Sequence, residues 1–127
     1  MIQGLDNVGL AVSDLDRMLD FYTTTLGFTG ERGDNDAWLT LGNLTIYLFV
    51  THPCNDARVA RTADLYTDPP GLDHLALRVA NVEQASADMK AKGVTFASEI
   101  VGEPGEFRYR GFADPEGNML YFVERPA

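Results

Sequence analysis

Apolar and polar residues alternate at the start of the chain and then recur at a longer spacing, which predicts a strand followed by a helix. Over residues 5–12 the alternation places Asn7, Gly9 and Ala11 on one face and larger apolar side chains on the other. The apolar residues that follow are spaced three or four apart, as on a helix that packs against a sheet. They are Leu15, Met18, Leu19, Tyr22 and Leu26.

Three further strands are predicted in the first half of the chain. A short strand at residues 28–32 precedes a hairpin of residues 37–41 and 44–50, with a Gly-Asn turn between its strands. If Leu41 opposes Leu44, side-chain alternation places two cross-strand pairs on one face of the hairpin. These pairs are Trp38 with Tyr47 and Asp36 with Phe49. The first half therefore has the order βαβββ.

The second half of the chain repeats the first. Residues 71–79, GLDHLALRV, match residues 4–12, GLDNVGLAV, with five identical positions in register. A repeat of this kind indicates two copies of one supersecondary unit. On the second strand His74, Ala76 and Arg78 occupy the face that Asn7 occupies on the first.

Capping residues mark both helices. Ser13 is the expected N-cap of the first helix and Gly27 its expected end. In the second helix Asn81 and Gln84 have the spacing of a capping box, and Gly93 is the expected end.

The second hairpin is predicted around an Asp-Pro-Glu-Gly turn. Residues 94–99 form a β-rich run, and residues 107–113 and 118–124 are the hairpin strands. If Ala113 opposes Asn118, the cross-strand pairs are Phe112 with Met119, Arg110 with Tyr121 and Arg108 with Val123. The second half is then also βαβββ.

The chain is expected to be one domain of two modules. Module one covers about residues 4–50 and module two about residues 71–124, joined by a linker of about residues 51–70. This linker is long enough to suggest a functional segment. Residues 102–105, with glycine at both ends, are a candidate lid.

Composition and charge narrow the functional classes. The 127 residues are 45% hydrophobic and carry a net charge of −9, which makes nucleic acid and anionic membranes improbable partners. No apolar run is long enough to cross a bilayer and no secretory signal is visible, so the cytoplasm is the expected location. Cys54 is the single cysteine, which excludes an intrachain disulfide.

The motifs VGLAVSDLDRMLDFYTTTLGF and GFADPEGNMLYFVE resemble the vicinal-oxygen-chelate superfamily, which includes glyoxalase I, fosfomycin-resistance enzymes, extradiol dioxygenases, methylmalonyl-CoA epimerase and bleomycin-resistance proteins. The resemblance covers the whole chain except the linker. It implies an α+β fold in which two tandem βαβββ modules form a cup from curved mixed sheets. It also implies a homodimer whose sites are shared between chains.

The resemblance places the metal-ligand positions of the family at Asn7, Tyr47, His74 and Tyr121. Only His74 is a good metal ligand, whereas a divalent ion needs about three protein donors. We therefore expect no metal and no cofactor. His52, in the linker, is a conceivable additional donor.

The predicted cup interior is aromatic, with a few polar groups that could anchor a small molecule. His74 and the strand aromatics could equally be scaffold or packing residues. The predicted ligand-binding residues are Asn7, Trp38, Tyr47, Phe49, His74, Arg78, Arg108, Arg110, Phe112 and Tyr121.

These residues favour a metal-independent binding protein that sequesters an aromatic antibiotic or metabolite, polycyclic or quinone-like, and so confers resistance. No nucleophile–base pair is visible to support covalent catalysis. The alternative is a metal-dependent enzyme of the glyoxalase, epimerase or dioxygenase type that uses His74. A metal-free isomerase or cyclase with His74 as base is a variant of this alternative. A module that serves only as a scaffold is the third possibility.

Overall fold

The computed structural model describes residues 1–51 and 61–126, so His52 and Cys54 lie outside the described residues. The chain divides into two compact units, Met1–Ala57 and Arg58–Ala127. Each unit combines a helix with an open mixed sheet, which confirms the predicted α+β class. No helix in the described part of the chain has the length and apolar character that a membrane span requires.

Unit 1 contains a four-stranded sheet. Its strand order is β1-β4-β3-β2, in which β1 runs parallel to β4 and the other neighbours are antiparallel. The elements are β1 (Val8–Val12), α1 (Leu15–Asp20), a π-helical turn (Phe21–Thr25), β2 (Thr29–Arg32), β3 (Asp36–Leu41) and β4 (Leu44–Val50).

The first hairpin has the predicted register. Leu41 pairs with Leu44, and this register places Trp38 opposite Tyr47 on one face of the sheet. The other face of the sheet is buried with the apolar side of α1, and this packing is the core of the unit. Its fully buried residues include Val12, Met18, Tyr22, Ala37, Leu39, Ile46 and Leu48.

The first helix differs from its prediction at the N-cap, and it closes at Gly27 as predicted. Its N-cap is Asp14, whose side chain accepts a hydrogen bond from the Arg17 amide at 3.1 Å, and not Ser13. At the other end the backbone widens into the π-helical turn before Gly27, where φ is +88°. A carboxylate at the cap also interacts favourably with the helix dipole.

Unit 2 contains a three-stranded sheet of order β5-β7-β6, with β5 parallel and β6 antiparallel to β7. Asn81 caps the helix as predicted, accepting from the Gln84 amide at 2.9 Å. The elements are β5 (His74–Arg78), α2 (Val82–Ala91), β6 (Arg108–Ala113) and β7 (Met119–Glu124).

The predicted strand at residues 94–99 is wrong. This stretch and its continuation meet β6 only through two isolated bridges, Phe96 with Phe112 and Val101 with Tyr109. Unit 2 is therefore βαββ among its described elements, because the Ser98 side chain, and not a backbone carbonyl, accepts from the Gly111 amide at 2.9 Å.

The predicted register of the second hairpin is also wrong, by one residue. Ala113 pairs with Met119, and Gly111, not Arg110, lies opposite Tyr121. The cause is the turn: the Asp114 amide donates to the Asn118 carbonyl at 2.9 Å, so only residues 115–117 form the loop. The Asp114 carboxylate, at 3.0 Å from the Asn118 amide, holds this shorter turn closed.

Candidate functional site

A cavity of about 550 Å³ lies within unit 2. Its volume is within the range of small-molecule sites. The lining residues come from all three strands of the sheet, from the segment before β5 and from the residues that flank the hairpin. They are Leu65, Tyr66, His74, Ala76, Arg78, Phe107, Tyr109, Tyr121, Val123 and Arg125.

The strand register explains why these side chains share one face. On β5, His74, Ala76 and Arg78 are exposed, whereas the residues between them are more buried. Ala76 pairs with Tyr121 on β7, and Tyr121 in turn pairs with Gly111 on β6. Alternation then brings the neighbouring Tyr109 to the same face. The cavity therefore lies on the side of the sheet that α2 does not cover.

His74 has an acidic partner. Its Nδ1 lies 2.6 Å from Oδ2 of Asp73, a hydrogen bond in which the imidazole N–H donates to the carboxylate. Asp73 Oδ1 also lies 3.8 Å from the Arg61 guanidinium. Because Nδ1 is engaged, Nε2 of His74 is left to accept or donate a proton.

Tyr121 carries an unusual hydroxyl at the centre of the site. The residue is 3% exposed, and its hydroxyl oxygen is buried with no hydrogen-bond partner among the described residues. Its ring packs against His74 with centroids 4.5 Å apart and against Tyr109 at 5.7 Å. Burial raises the pKa of Tyr121, and the nearby Asp73 carboxylate raises it further.

A folded loop supplies one wall of the cavity. Thr62 and Asp68 close this loop through two hydrogen bonds, of 2.8 and 2.9 Å. Arg61 donates to the carbonyl of Pro69. The loop places Leu65 and Tyr66 at the cavity, so part of the long predicted linker belongs to the site.

The corresponding face of unit 1 is an aromatic ladder. The ring centroid of Tyr47 lies 4.3 Å from Trp38 and 5.5 Å from Phe49. The Tyr47 hydroxyl donates to Asp36 at 2.8 Å, and this hydrogen bond is the main cause of a raised Tyr47 pKa. The Asn7 side chain donates to the Asp6 carboxylate at 2.7 Å.

Three predicted site residues lie on the other face of the unit 2 sheet. The Arg108 side chain is 8% exposed and forms ion pairs with Glu83 at 2.9 Å and Glu124 at 3.7 Å. Arg110 donates to the Ser98 carbonyl at 3.0 Å and lies over the Phe96 ring. Phe112 is fully buried in the core. Their placement follows from the one-residue shift in register, which moves each side chain to the opposite face.

The structure thus brings together His74, Arg78 and Tyr121, whereas Asn7, Trp38, Tyr47 and Phe49 belong to unit 1. Sequence reasoning missed Asp73 as a partner of His74, although the two are adjacent. Neighbours within a strand point to opposite faces, but Asp73 precedes β5 and escapes this rule. It also missed other lining residues: Tyr66, Phe107, Tyr109 and Arg125.

The side chains at the expected ligand positions are poor donors for a divalent metal ion. No group of three or more His, Cys, Asp or Glu side chains in residues 1–51 and 61–126 could hold one. At the ligand positions implied by the resemblance, His74 is accompanied by an amide and two phenols, which are weaker donors. The described residues therefore do not fit a metal site, and no chemical step is assigned to an ion.

The family model for the Glyoxalase/Bleomycin resistance protein/Dioxygenase superfamily matches residues 4–122. The chain belongs to this superfamily. One sequence relative is "Glutathione transferase FosA" from Serratia marcescens. It is 33% identical to this chain over 125 residues, which cover 94% of this chain and 79% of FosA.

Solved structures of other superfamily members have the same fold. The fosfomycin resistance protein FosX from Listeria monocytogenes superposes with a TM-score of 0.76 at 20% identity, covering 98% of this chain and 94% of FosX. TnmS3, an antibiotic binding protein from Streptomyces sp. CB03234, superposes with a TM-score of 0.68 at 26% identity, covering 99% and 98%.

The sequence relative corrects the functional prediction. A metal-independent protein that sequesters an aromatic antibiotic was predicted, and this is wrong: the 33% identical relative is a transferase, an enzyme. The comparison favours the alternative given above, an enzyme. The match to TnmS3 is weaker in sequence. The prediction depended on the weak donors at the ligand positions and on the aromatic interior, and it did not consider Asp73 as a hydrogen-bond partner of His74.

Proposed function

We propose that this superfamily member is an enzyme that adds a nucleophile to a small electrophilic molecule in the unit 2 cavity. The observation that carries the proposal is the Asp73–His74 hydrogen bond of 2.6 Å at the wall of that cavity. The 33% identity to a glutathione transferase supports a thiol as the nucleophile.

His74 acts as the general base in this proposal. Its Nε2 takes the proton of the thiol, and the sulfur forms a bond to an electrophilic carbon of the substrate. The carbon–oxygen bond at that carbon breaks, its electron pair stays on the oxygen, and the imidazolium returns the proton there. Asp73 stabilises the imidazolium while it carries the proton.

The finer cellular assignments belong to the same proposal. Resistance to an antibiotic is supported by the similarity to FosX, a fosfomycin resistance protein, and to FosA, a glutathione transferase. A single domain, a homodimer and a cytoplasmic location stay predictions. Light scattering tests the dimer, and a monomeric mass would contradict it.

The test is a product assay by mass spectrometry. The purified protein is incubated with glutathione and either fosfomycin or a panel of simple and aromatic epoxides. We expect a glutathione adduct with at least one epoxide, and a loss of about 100-fold or more in His74→Asn. Lys90→Gln, an exposed change on α2, is the control that keeps full activity.

Three results would contradict this proposal. Saturable binding of the antibiotic or epoxides with no adduct would show that the protein does not catalyse transfer. Full activity in His74→Asn would show that His74 is not the base.

The assay is repeated after chelation and with added Mn(II), because FosX has been crystallised with Mn(II). Activity that depends wholly on Mn(II) would contradict the role of His74 as base.

A further inference from the structure

We infer that the unit 2 cavity takes a planar aromatic anion as the substrate. The inference rests on the proposed function for the chemistry, but its physical basis is separate: the charge, the rings and one hydroxyl of the cavity wall.

The charge of the cavity is opposite to that of the chain. The protein carries a net charge of −9, yet the lining includes Arg78 and Arg125 and no aspartate or glutamate among the described residues. Two carboxylates outside the lining, Asp73 and Asp68, lie near enough to raise the pKa of Tyr121. Asp73 is already shared by His74 and Arg61, and Asp68 accepts hydrogen bonds from Thr62. Two guanidinium groups at one cavity favour an anionic guest.

Neither arginine forms an ion pair with residues 1–51 or 61–126. Arg78 is exposed on β5 and has no hydrogen-bond or ion-pair partner among the described residues. The Arg125 guanidinium lies 4.9 Å from the centroid of the Phe107 ring, a cation–π contact that leaves its N–H groups for an acceptor. Both can therefore bind a carboxylate or similar group on the guest.

The remaining wall is mostly aromatic. Tyr66, Phe107, Tyr109 and Tyr121 line the same cavity, and Tyr66 is almost fully exposed without a guest. A flat ring can cover these surfaces by stacking or by edge contacts, whereas a short aliphatic anion would leave most of them in water. The rings therefore select the body of the guest and the arginines its charge.

Tyr121 adds a position for one directed hydrogen bond. Its hydroxyl is buried and has no partner among the described residues, which is costly unless a bound molecule or water supplies one. An oxygen on the aromatic guest would satisfy this donor. The cavity thus offers rings, two cations and one hydroxyl to the same molecule.

The experiment compares four probes by isothermal titration calorimetry, which does not require turnover. The probes are 2-naphthoate, 2-naphthylmethanol, 2-naphthylmethylammonium and propylphosphonate. We expect 2-naphthoate to bind about tenfold or more tightly than each of the others, and Arg78→Gln to weaken it about tenfold. Lys90→Gln is the control and keeps wild-type affinity, and melting curves establish that the variants are folded.

The outcomes separate this inference from the proposed function. Equal affinity for the anion and the ammonium, or full affinity in Arg78→Gln, would overturn the anionic class. Tighter binding of propylphosphonate than of 2-naphthoate would overturn the aromatic class, even if the enzyme transferred thiols. Charge-selective naphthoate binding without any thiol adduct would support the ligand class and contradict the proposed reaction.

Discussion

The two units carry the same short motif with different chemical capacity. In unit 1 the Asn7 amide donates to Asp6 at 2.7 Å, and in unit 2 the His74 imidazole donates to Asp73 at 2.6 Å. The backbone repeat therefore produces the same side-chain pair twice. An imidazole has a ring nitrogen that can accept a proton and an amide side chain does not, so one substitution separates a structural pair from an acid–base pair.

The two sheets also differ in whether a tyrosine hydroxyl has a hydrogen-bond partner. Tyr47 faces Trp38 across the hairpin and its hydroxyl is bonded to Asp36. Tyr121 faces Gly111 instead, and its hydroxyl has no partner among the described residues. Unit 1 thus satisfies its polar groups internally, whereas unit 2 leaves space and hydrogen-bonding capacity for a ligand.

The largest expected difference between the units is in turnover. Asp73→Asn should lower kcat roughly 100-fold, because the imidazolium loses its carboxylate, whereas Asp6→Asn should leave kcat unchanged. The measurement is kcat as a function of pH. Asp73→Glu should restore part of the activity. Equal kcat in the two asparagine variants would mean that Asp73 does not position His74.

The close contact between Tyr121 and Gly111 can be tested with a single methyl group. A Cβ on Gly111 would lie 2.9 Å from Cε1 of Tyr121, whereas one on Gly9 would lie 3.6 Å from Cε1 of Phe49. Gly111→Ala should therefore lower the free energy of unfolding by about 1–3 kcal/mol. Gly9→Ala, the matched control in unit 1, should not. Chemical denaturation of both variants is the measurement, and equal stability would contradict the close packing at Gly111.

Removing the hydroxyl of Tyr121 and removing that of Tyr47 should change the free energy of unfolding in opposite directions. Tyr121→Phe removes a buried group that has no partner and should raise the free energy of unfolding by about 1 kcal/mol. Tyr47→Phe breaks the hydrogen bond to Asp36 and should lower it. Tyr66→Phe, at an exposed position, is the control. Destabilisation in Tyr121→Phe would indicate that this hydroxyl is bonded.

The smallest effect is expected in alkaline titration. The pKa values of Tyr47 and Tyr121 are raised, so the folded protein holds these protons more tightly than the unfolded chain. Their contribution to stability is present below about pH 10 and is lost as the pH rises through the raised values. Tyrosinate absorbance should show a lower Tyr47 pKa in Asp36→Asn. An unchanged titration curve would contradict the assigned cause.

Sequence patterns predicted the repeat, both helices and the first hairpin because these depend on local spacing and caps. They failed where one distant or cross-turn contact decides the outcome. The Asp114 side chain shortens the second turn, and this displaced Arg108, Arg110 and Phe112 from the predicted site. The wall formed by Tyr66 could not be predicted, because a loop folded by the Thr62–Asp68 contacts has no periodic pattern.

The three-residue turn after Asp114 has a consequence for how this fold can diversify. A change in that turn that slides one strand by one residue would place Arg110, and not Gly111, opposite Tyr121. Such a slide would add a third arginine to a wall that already carries Arg78 and Arg125. The ligand selectivity of such a protein can therefore change through its turn, without substitutions of the residues that line the cavity.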